Sequence, residues 1–330
     1  MEILCIGSAV MDITGWPIDQ TQSWKEKQRI SDIRIQPGGD AVNQCAALAA
    51  LYKNPAAVSG STPLSPALAA CVGADMNGQI LKSTLAGMGI DVQYVKEKAD
   101  CGTGTAMVLV NRSGERRVFS VKGAHSTISR EDIPWELPEE CRAISLASLF
   151  SMPVLEENGL LEYLQMIKSG KKKERLVFAD LASDKLGLGI KGIERFLPYI
   201  DYFLPSLYDV LEMTRTKTAP EAAKVFHELG VSHVLIKCGE KGCYCSSPEF
   251  EGQIPALAVK TVDTTGAGDC MSASFASRIL AGDGVEAACR FACAAASYGT
   301  MFPWAWAGDL SVEKVHQLLK TGGKNSTKEE

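Results

Sequence analysis

The stretch DTTGAGD, residues 263–269, followed by CMSASFASRIL at 270–280, carries more structural information than any other part of the chain. Small and apolar residues recur at helical spacing after position 269, which places Asp269 at a helix start. Gly266, Ala267 and Gly268 carry no bulky side chain, so an anion can approach their backbone N–H groups, and the positive end of the helix dipole adds to the attraction. A carboxylate beside such an anion hole is placed to take a proton from a hydroxyl while the amides hold a transferring phosphoryl group. The competing reading is an Asp N-cap after a Gly-rich turn, and for Gly-x-Gly-Asp by itself that reading is the commoner one.

Two earlier segments bear on the choice. In PGGDAVNQCAALAALY, residues 37–52, Gly38 and Gly39 make a tight turn and Asp40 opens an Ala-rich helix. Asn43, three residues on, stays near that helix mouth, either reaching a hydroxylated ligand or lying on a solvated face. Asp12 follows the first strand, where ligands of open α/β sheets gather, although a lone Asp there is more often a turn residue.

Short apolar runs at 3–6, 143–146, 176–179, 202–204 and 234–237 alternate with helical patterns such as 155–167 and 220–229. This alternation predicts βαβ units and a mostly parallel sheet covered on both faces, an α/β fold. Residues 12–37 and 101–122 break the pattern with strands and no helix. In the second, 105–111 and 116–122 flank Arg112-Ser113-Gly114-Glu115, a hairpin with its Gly at the turn. A small sheet leaving a large α/β core suggests a lid. The expected division is therefore a core of 1–11, 38–100 and 123–320, a β-sheet lid of 12–37 and 101–122, and a disordered tail from 321 to 330. Residues 53–66 form a Pro/Ser-rich loop, and Lys171 to Lys173 read as a solvated turn.

The 330 residues, 46% hydrophobic, suffice to bury a core without disulfide or metal staples. A net charge of −5 without a long basic block argues against a nucleic-acid partner. Eleven Cys scattered through apolar stretches fit buried thiols in a reducing compartment. Cys243 and Cys245 lack Cys-x-x-Cys spacing, and no His-Glu-x-x-His is present. The start of the chain lacks the basic n-region of a signal peptide, and Gly299 and Pro303 interrupt the apolar stretch 291–307, so neither export nor a membrane span is expected. The expected location is the cytoplasm.

A first strand ending near Asp12, a Gly-Gly-x-x-x-Asn helix start and a late Asp-Thr-x-Gly-Ala-Gly-Asp together resemble the ribokinase-like, or PfkB, carbohydrate kinases over nearly the whole chain. VGADMNG at 72–78 and GTGTAMVLV with GERR, within 102–117, resemble further parts of that family. The resemblance implies a three-layer sandwich with a β-sheet lid, and ATP and Mg²⁺ as cofactors; the exposed face of the lid is expected to pair two subunits in a homodimer. It implies Asp269 as catalytic base, with Gly266, Ala267 and Gly268 as anion hole. Asp12, Gly39, Asp40 and Asn43 match acceptor-binding positions, while Lys237, Gly239 and Gly242 in KCGEKG match a nucleotide-binding turn. Asp263 and Thr265 match positions that in many members hold a monovalent cation such as K⁺. The family's Asn-x-x-Glu falls on Ser206 and Asp209, a shorter carboxylate that leaves Mg²⁺ binding through water. Asp40 stands where many members have a Lys and Val10 where ribokinases have an Asn, which points to a non-phosphorylated sugar or derivative other than plain ribose.

A nucleoside kinase of the same fold is the alternative within this class, and a sugar-binding regulatory pseudokinase the alternative outside it. Absence of Gly-x-x-x-x-Gly-Lys-Ser/Thr excludes a P-loop kinase, and IGSAVMD, with its single Gly, argues against a dinucleotide-dependent oxidoreductase.

Overall fold

The computed structural model describes residues 1–23, 25–53, 64–169, 175–303, 305 and 309–323. In chain order the elements are β1 (Ile3–Ile6), β2 (Val10–Ile18), β3 (Asp32–Gly38), α1 (Asp40–Leu51), β4 (Pro66–Gly73), α2 (Met76–Gly87), β5 (Val95–Lys98), β6 (Gly104–Asn111) and β7 (Arg116–Val121). There follow β8 (Ala143–Leu149), α3 (Pro153–Glu157), α4 (Leu160–Ser169), β9 (Leu176–Leu181), α5 (Ile190–Ile193), β10 (Tyr202–Phe203), α6 (Leu207–Thr214) and α7 (Ala219–Glu228). The chain closes with β11 (His233–Lys237), β12 (Cys243–Ser246), β13 (Glu251–Ile254), α8 (Ala267–Ala281), α9 (Val285–Gly299) and α10 (Val312–Thr321).

Nine strands form one sheet in the order β13-β12-β11-β10-β9-β8-β1-β4-β5. Its pairs are parallel except β11–β12 and β12–β13, which are antiparallel. The central strand β1 shows why both faces must be covered. Ile3 and Cys5 join one apolar cluster with α1, α8 and α9, whereas Leu4 and Ile6 join a second with α4 and α7. Four consecutive fully buried residues, alternating between two cores, are what a strand covered on both faces requires. The result is a helix–sheet–helix sandwich. On one side α8 packs against both α1 and α9. The Ala and Ser residues that fill α1 and α8 keep that contact close, and so bring the starts of these two helices together.

β2, β3, β6 and β7 form a separate four-stranded sheet in the order β3-β2-β6-β7. Its base is pinned to the core at the start of α2. Asp75 caps that helix, accepting from Gly78 N at 2.8 Å, and also accepts from Thr103 N at 2.7 Å and Thr103 Oγ1 at 2.6 Å. One carboxylate thus joins a core helix to the residue just before β6.

Some expectations are revised. The helix read over 155–167 is two, α3 and α4, parted at Asn158 and Gly159, where Gly159 takes φ 133° and breaks the hydrogen-bond run. Thr321 ends α10, and Gly322 caps it in the left-handed region, so the helix extends to the start of the expected tail. Residues 54–63 of the Pro/Ser-rich loop, Lys171 to Lys173 and the tail beyond 323 lie outside the described residues. No helix among the described residues is long and apolar enough to cross a membrane.

Candidate active site

The two glycine-rich helix starts meet. At the first, Gly39 takes φ 96°, and a Cβ there would lie 2.6 Å from the Ser8 carbonyl oxygen, so only glycine lets the chain turn into α1 this close to the end of β1. The Asp40 N–H donates to Ser8 Oγ at 2.9 Å, and the Ser148 hydroxyl in β8 favours the charged form of the Asp40 carboxylate. At the second, Gly266 takes φ 71°, and a Cβ would approach Ala305 at 2.7 Å. Asp269 then stands in the first turn of α8 with its side chain toward α1.

Asn43 Nδ2 donates to Asp269 Oδ2 at 2.8 Å, a bond between residues 226 apart in sequence. Asn43 is buried, which removes the solvated-face reading. Its amide favours the ionised carboxylate, but burial, and then the neighbouring Asp40 carboxylate, push Asp269 well above the usual carboxylate range. Burial, and then the nearby Asp180 carboxylate, also push Asp40 up to about 6, against the pull of Lys237.

Asp180 and Lys237 complete the charged cluster. Lys237 Nζ donates to Asp180 Oδ2, which also accepts from Ser272 Oγ at 2.8 Å, while Leu181 N donates to Asp180 Oδ1 at 2.8 Å. A Cβ on Gly268 would sit 3.5 Å from Lys237 Nζ, so the ammonium faces the bare backbone at the start of α8. Sequence reasoning missed Asp180, Ser8, Ser148 and Ser272. Asp180 had a readable signal, because it follows the apolar run 176–179 at the carboxyl end of a parallel strand, where α/β ligand sites lie.

Asp12 lies within β2, in the small sheet, and not in a turn after the first strand. Its Oδ2 fills the space a Gly38 Cβ would need, 2.1 Å away, and burial pushes its carboxyl up to about 6. Asp12, Gly39, Asp40 and Asn43 therefore gather between the small sheet and the start of α1.

On the other side of the α8 start, a cleft of about 600 Å³ is lined by Ser206, Lys237, Gly239, Ala267, Gly268 and Thr300, among others. Gly242 stands apart from it. A Cβ there would lie 2.1 Å from the Ile254 carbonyl oxygen, so this glycine lets the β12–β13 side of the turn close. Ser206 caps α6, and its hydroxyl donates to the Asp209 carboxylate. Asp209 also lines a second cleft of about 420 Å³ with Asp184 and Tyr208.

Asp263 and Thr265 are brought together, since Asp263 Oδ1 accepts from Thr265 N at 2.8 Å and Thr265 Oγ1 at 2.7 Å. The guanidinium of Arg116, at the start of β7, stands on both. Nη2 donates to Asp263 Oδ1 at 2.5 Å and Nη1 to Thr265 Oγ1 at 2.6 Å. As they stand, these two oxygens do not fit K⁺, because a permanent cation already engages them.

A profile of the pfkB family carbohydrate kinases matches residues 1–299. The ribokinase of Haemophilus influenzae is 27% identical over 271 residues, 80% of this chain and 81% of that one. The deoxyribokinase of Salmonella typhi is 25% identical over 325 residues, 97% of this chain and 99% of that one. Among solved structures, Arabidopsis thaliana ribokinase complexed with ribose and ATP superposes with a TM-score of 0.77 at 25% identity, covering 97% of this chain and 98% of that one.

Proposed function

Because the chain belongs to the pfkB family of carbohydrate kinases, we propose that it transfers the γ-phosphoryl group of ATP to a hydroxyl of a small, non-phosphorylated sugar or sugar derivative. The bond from Asn43 to Asp269 carries this reading. It joins the acceptor-side helix start to the anion-hole helix start, leaving a carboxylate between them.

Asp269 takes the proton of the attacking hydroxyl. The N–H groups of Gly266 and Gly268, with the α8 dipole behind them, receive the charge that develops on the transferring group, and that of Ala267 joins them by leaving the Thr264 carbonyl, to which it donates at 3.2 Å. Lys237, aimed at Gly268 and held by Asp180, adds a positive charge on the same side. ATP lies in the cleft of about 600 Å³ with its phosphates toward Gly268, past Ser206 and Gly239. Asp209, next to Ser206 at the start of α6, would hold Mg²⁺ through water, and the ion would supply neutralisation of phosphate charge.

Asp12, Gly39, Asp40 and Asn43 contact the acceptor. Two carboxylates there accept hydrogen bonds from hydroxyls or an amine and repel a phosphate dianion. At about 4 Å and an effective dielectric near 20, one such pair of unit charges costs roughly 4 kcal/mol before screening. The acceptor is therefore an uncharged or amine-bearing polyol.

The core comprises 1–11, 38–100 and 123–320, and residues 12–37 and 101–122 act as a lid that keeps water from the phosphoryl group. The side of the small sheet opposite Asp12 exposes Ile33, Ile35, Phe119 and Val121 at 62, 58, 42 and 71%. Pairing of two such faces in a homodimer covers them. The protein works in the cytoplasm, where ATP and reduced thiols are available. Purified protein in a coupled ADP-release assay, offered sugars, sugar acids, amino sugars, nucleosides and sugar monophosphates, tests this reading. Turnover is expected with a free sugar or amino sugar. Turnover with a sugar monophosphate and none with its free sugar contradicts the acceptor assignment, and ADP release confined to nucleosides moves the protein to the nucleoside kinases.

A further inference from the structure

We propose that Arg116 is the fixed cation of the anion-hole turn, binding the lid to that turn and taking the place of a diffusible monovalent ion. The inference rests on the reading of Gly266 to Gly268 as an anion hole.

The turn just before the hole is set by few contacts. Val262 N and Asp263 N both donate to the Thr300 carbonyl, at 2.7 and 3.1 Å, and Asp263 Oδ1 gathers the N–H and hydroxyl of Thr265. The next residue, Gly266, begins the anion hole, so the geometry of 263–265 decides where those amides point. A bare carboxylate here also opposes an incoming phosphate. A positive charge on Asp263 removes that repulsion and holds the turn.

Arg116 provides the charge from a stiff support. Asn111 Oδ1 accepts from Ser113 N at 3.0 Å and Glu115 N at 2.9 Å, and Glu115 closes the turn back to Asn111 N through its carbonyl at 3.0 Å. Arg116 follows directly, as the first residue of β7. In the β6–β7 and β2–β6 registers, Arg116 pairs with Val110, and Asp12 pairs with Ala106, so Arg116 and Asp12 lie on the same face of the small sheet. One sheet face therefore presents a carboxylate to the acceptor side and a guanidinium to the anion-hole turn. The guanidinium spans two acceptors with its fork, which a hydrated ion achieves only by shedding water. Because the cation is part of the lid, the lid position and the turn geometry move as one unit.

The experiment compares wild type, Arg116→Ala and Arg116→Lys in KCl, NaCl and choline chloride at equal ionic strength. Two readouts are melting temperature and ATP affinity by calorimetry, with ADP release measured where an acceptor is known. Wild type is expected to melt at the same temperature and bind ATP equally in all three salts. Arg116→Ala is expected to bind ATP about tenfold more weakly in choline, the scale of a lost charged hydrogen bond, and to recover affinity and melting temperature in K⁺. Arg116→Lys, which keeps the charge and loses the fork, should fall between wild type and Arg116→Ala. A wild type that responds to K⁺ as strongly as Arg116→Ala overturns the proposal. So does an Arg116→Ala protein indifferent to every cation with unchanged ATP affinity. Melting temperatures need no acceptor, so they decide the matter even if the acceptor assignment fails.

Discussion

Replacing Asn43 by Ala removes the amide that donates to Asp269 at 2.8 Å. A hydrogen bond to a charged group is worth about 1.5–3 kcal/mol, so this bond favours the ionised Asp269 and opposes the upward shift of its pKa. Burial and Asp40 already raise it. Removing the opposing bond raises it further. The acid limb of the kcat/KM profile should therefore move to higher pH, with a loss of about 10–100-fold on that limb that shrinks as the pH rises. Asp40→Asn removes a repelling carboxylate and should shift the same limb to lower pH. The assay is steady-state ADP release from pH 5.5 to 9.5 with each variant. A loss in Asn43→Ala that is the same at every pH, or shifts of both variants in one direction, refutes the electrostatic coupling and leaves Asn43 as an acceptor contact only.

Two further outcomes concern the ligand-free protein. Asp12 has its pKa raised from 3.8 to about 6, so the native state binds more protons between these values; the stabilisation is complete below about pH 4 and lost as pH rises through 6. The scale is about 2–3 kcal/mol, so Asp12→Asn should flatten the fall in melting temperature between pH 4 and 7, and a variant with the wild-type slope contradicts this. Ile35→Glu places a charge on the exposed face of the small sheet and should abolish the proposed dimer, giving a monomer in sedimentation velocity at micromolar concentration where wild type is expected to sediment as a dimer. A wild type that already sediments as a monomer contradicts the lid pairing.

Where one interaction dominates, the sequence was readable. Ile3 to Ile6 could only be a strand covered on both faces, and the break in alternation at 12–37 and 101–122 announced a second sheet. Gly39 and Gly266 marked helix starts because their backbones admit no side chain. Contacts between elements distant in sequence were not readable. Nothing local in GERR indicates that Arg116 reaches Asp263, and nothing local in AVNQ indicates that Asn43 turns inward to Asp269, since each depends on how a sheet or helix packs. Asp180 lay between these cases: its place at a strand end was visible, but its partners Lys237 and Ser272 come from β11 and α8.

Asp269→Asn tests the proposed role of Asp269 as base with little change in shape. The decisive measurement is kcat with the best acceptor alongside ATP affinity by calorimetry. If Asp269 is the base, ATP affinity stays within a few-fold of wild type and kcat falls by at least about 100-fold, the scale of losing a general base. Turnover near the wild-type rate in that variant contradicts it.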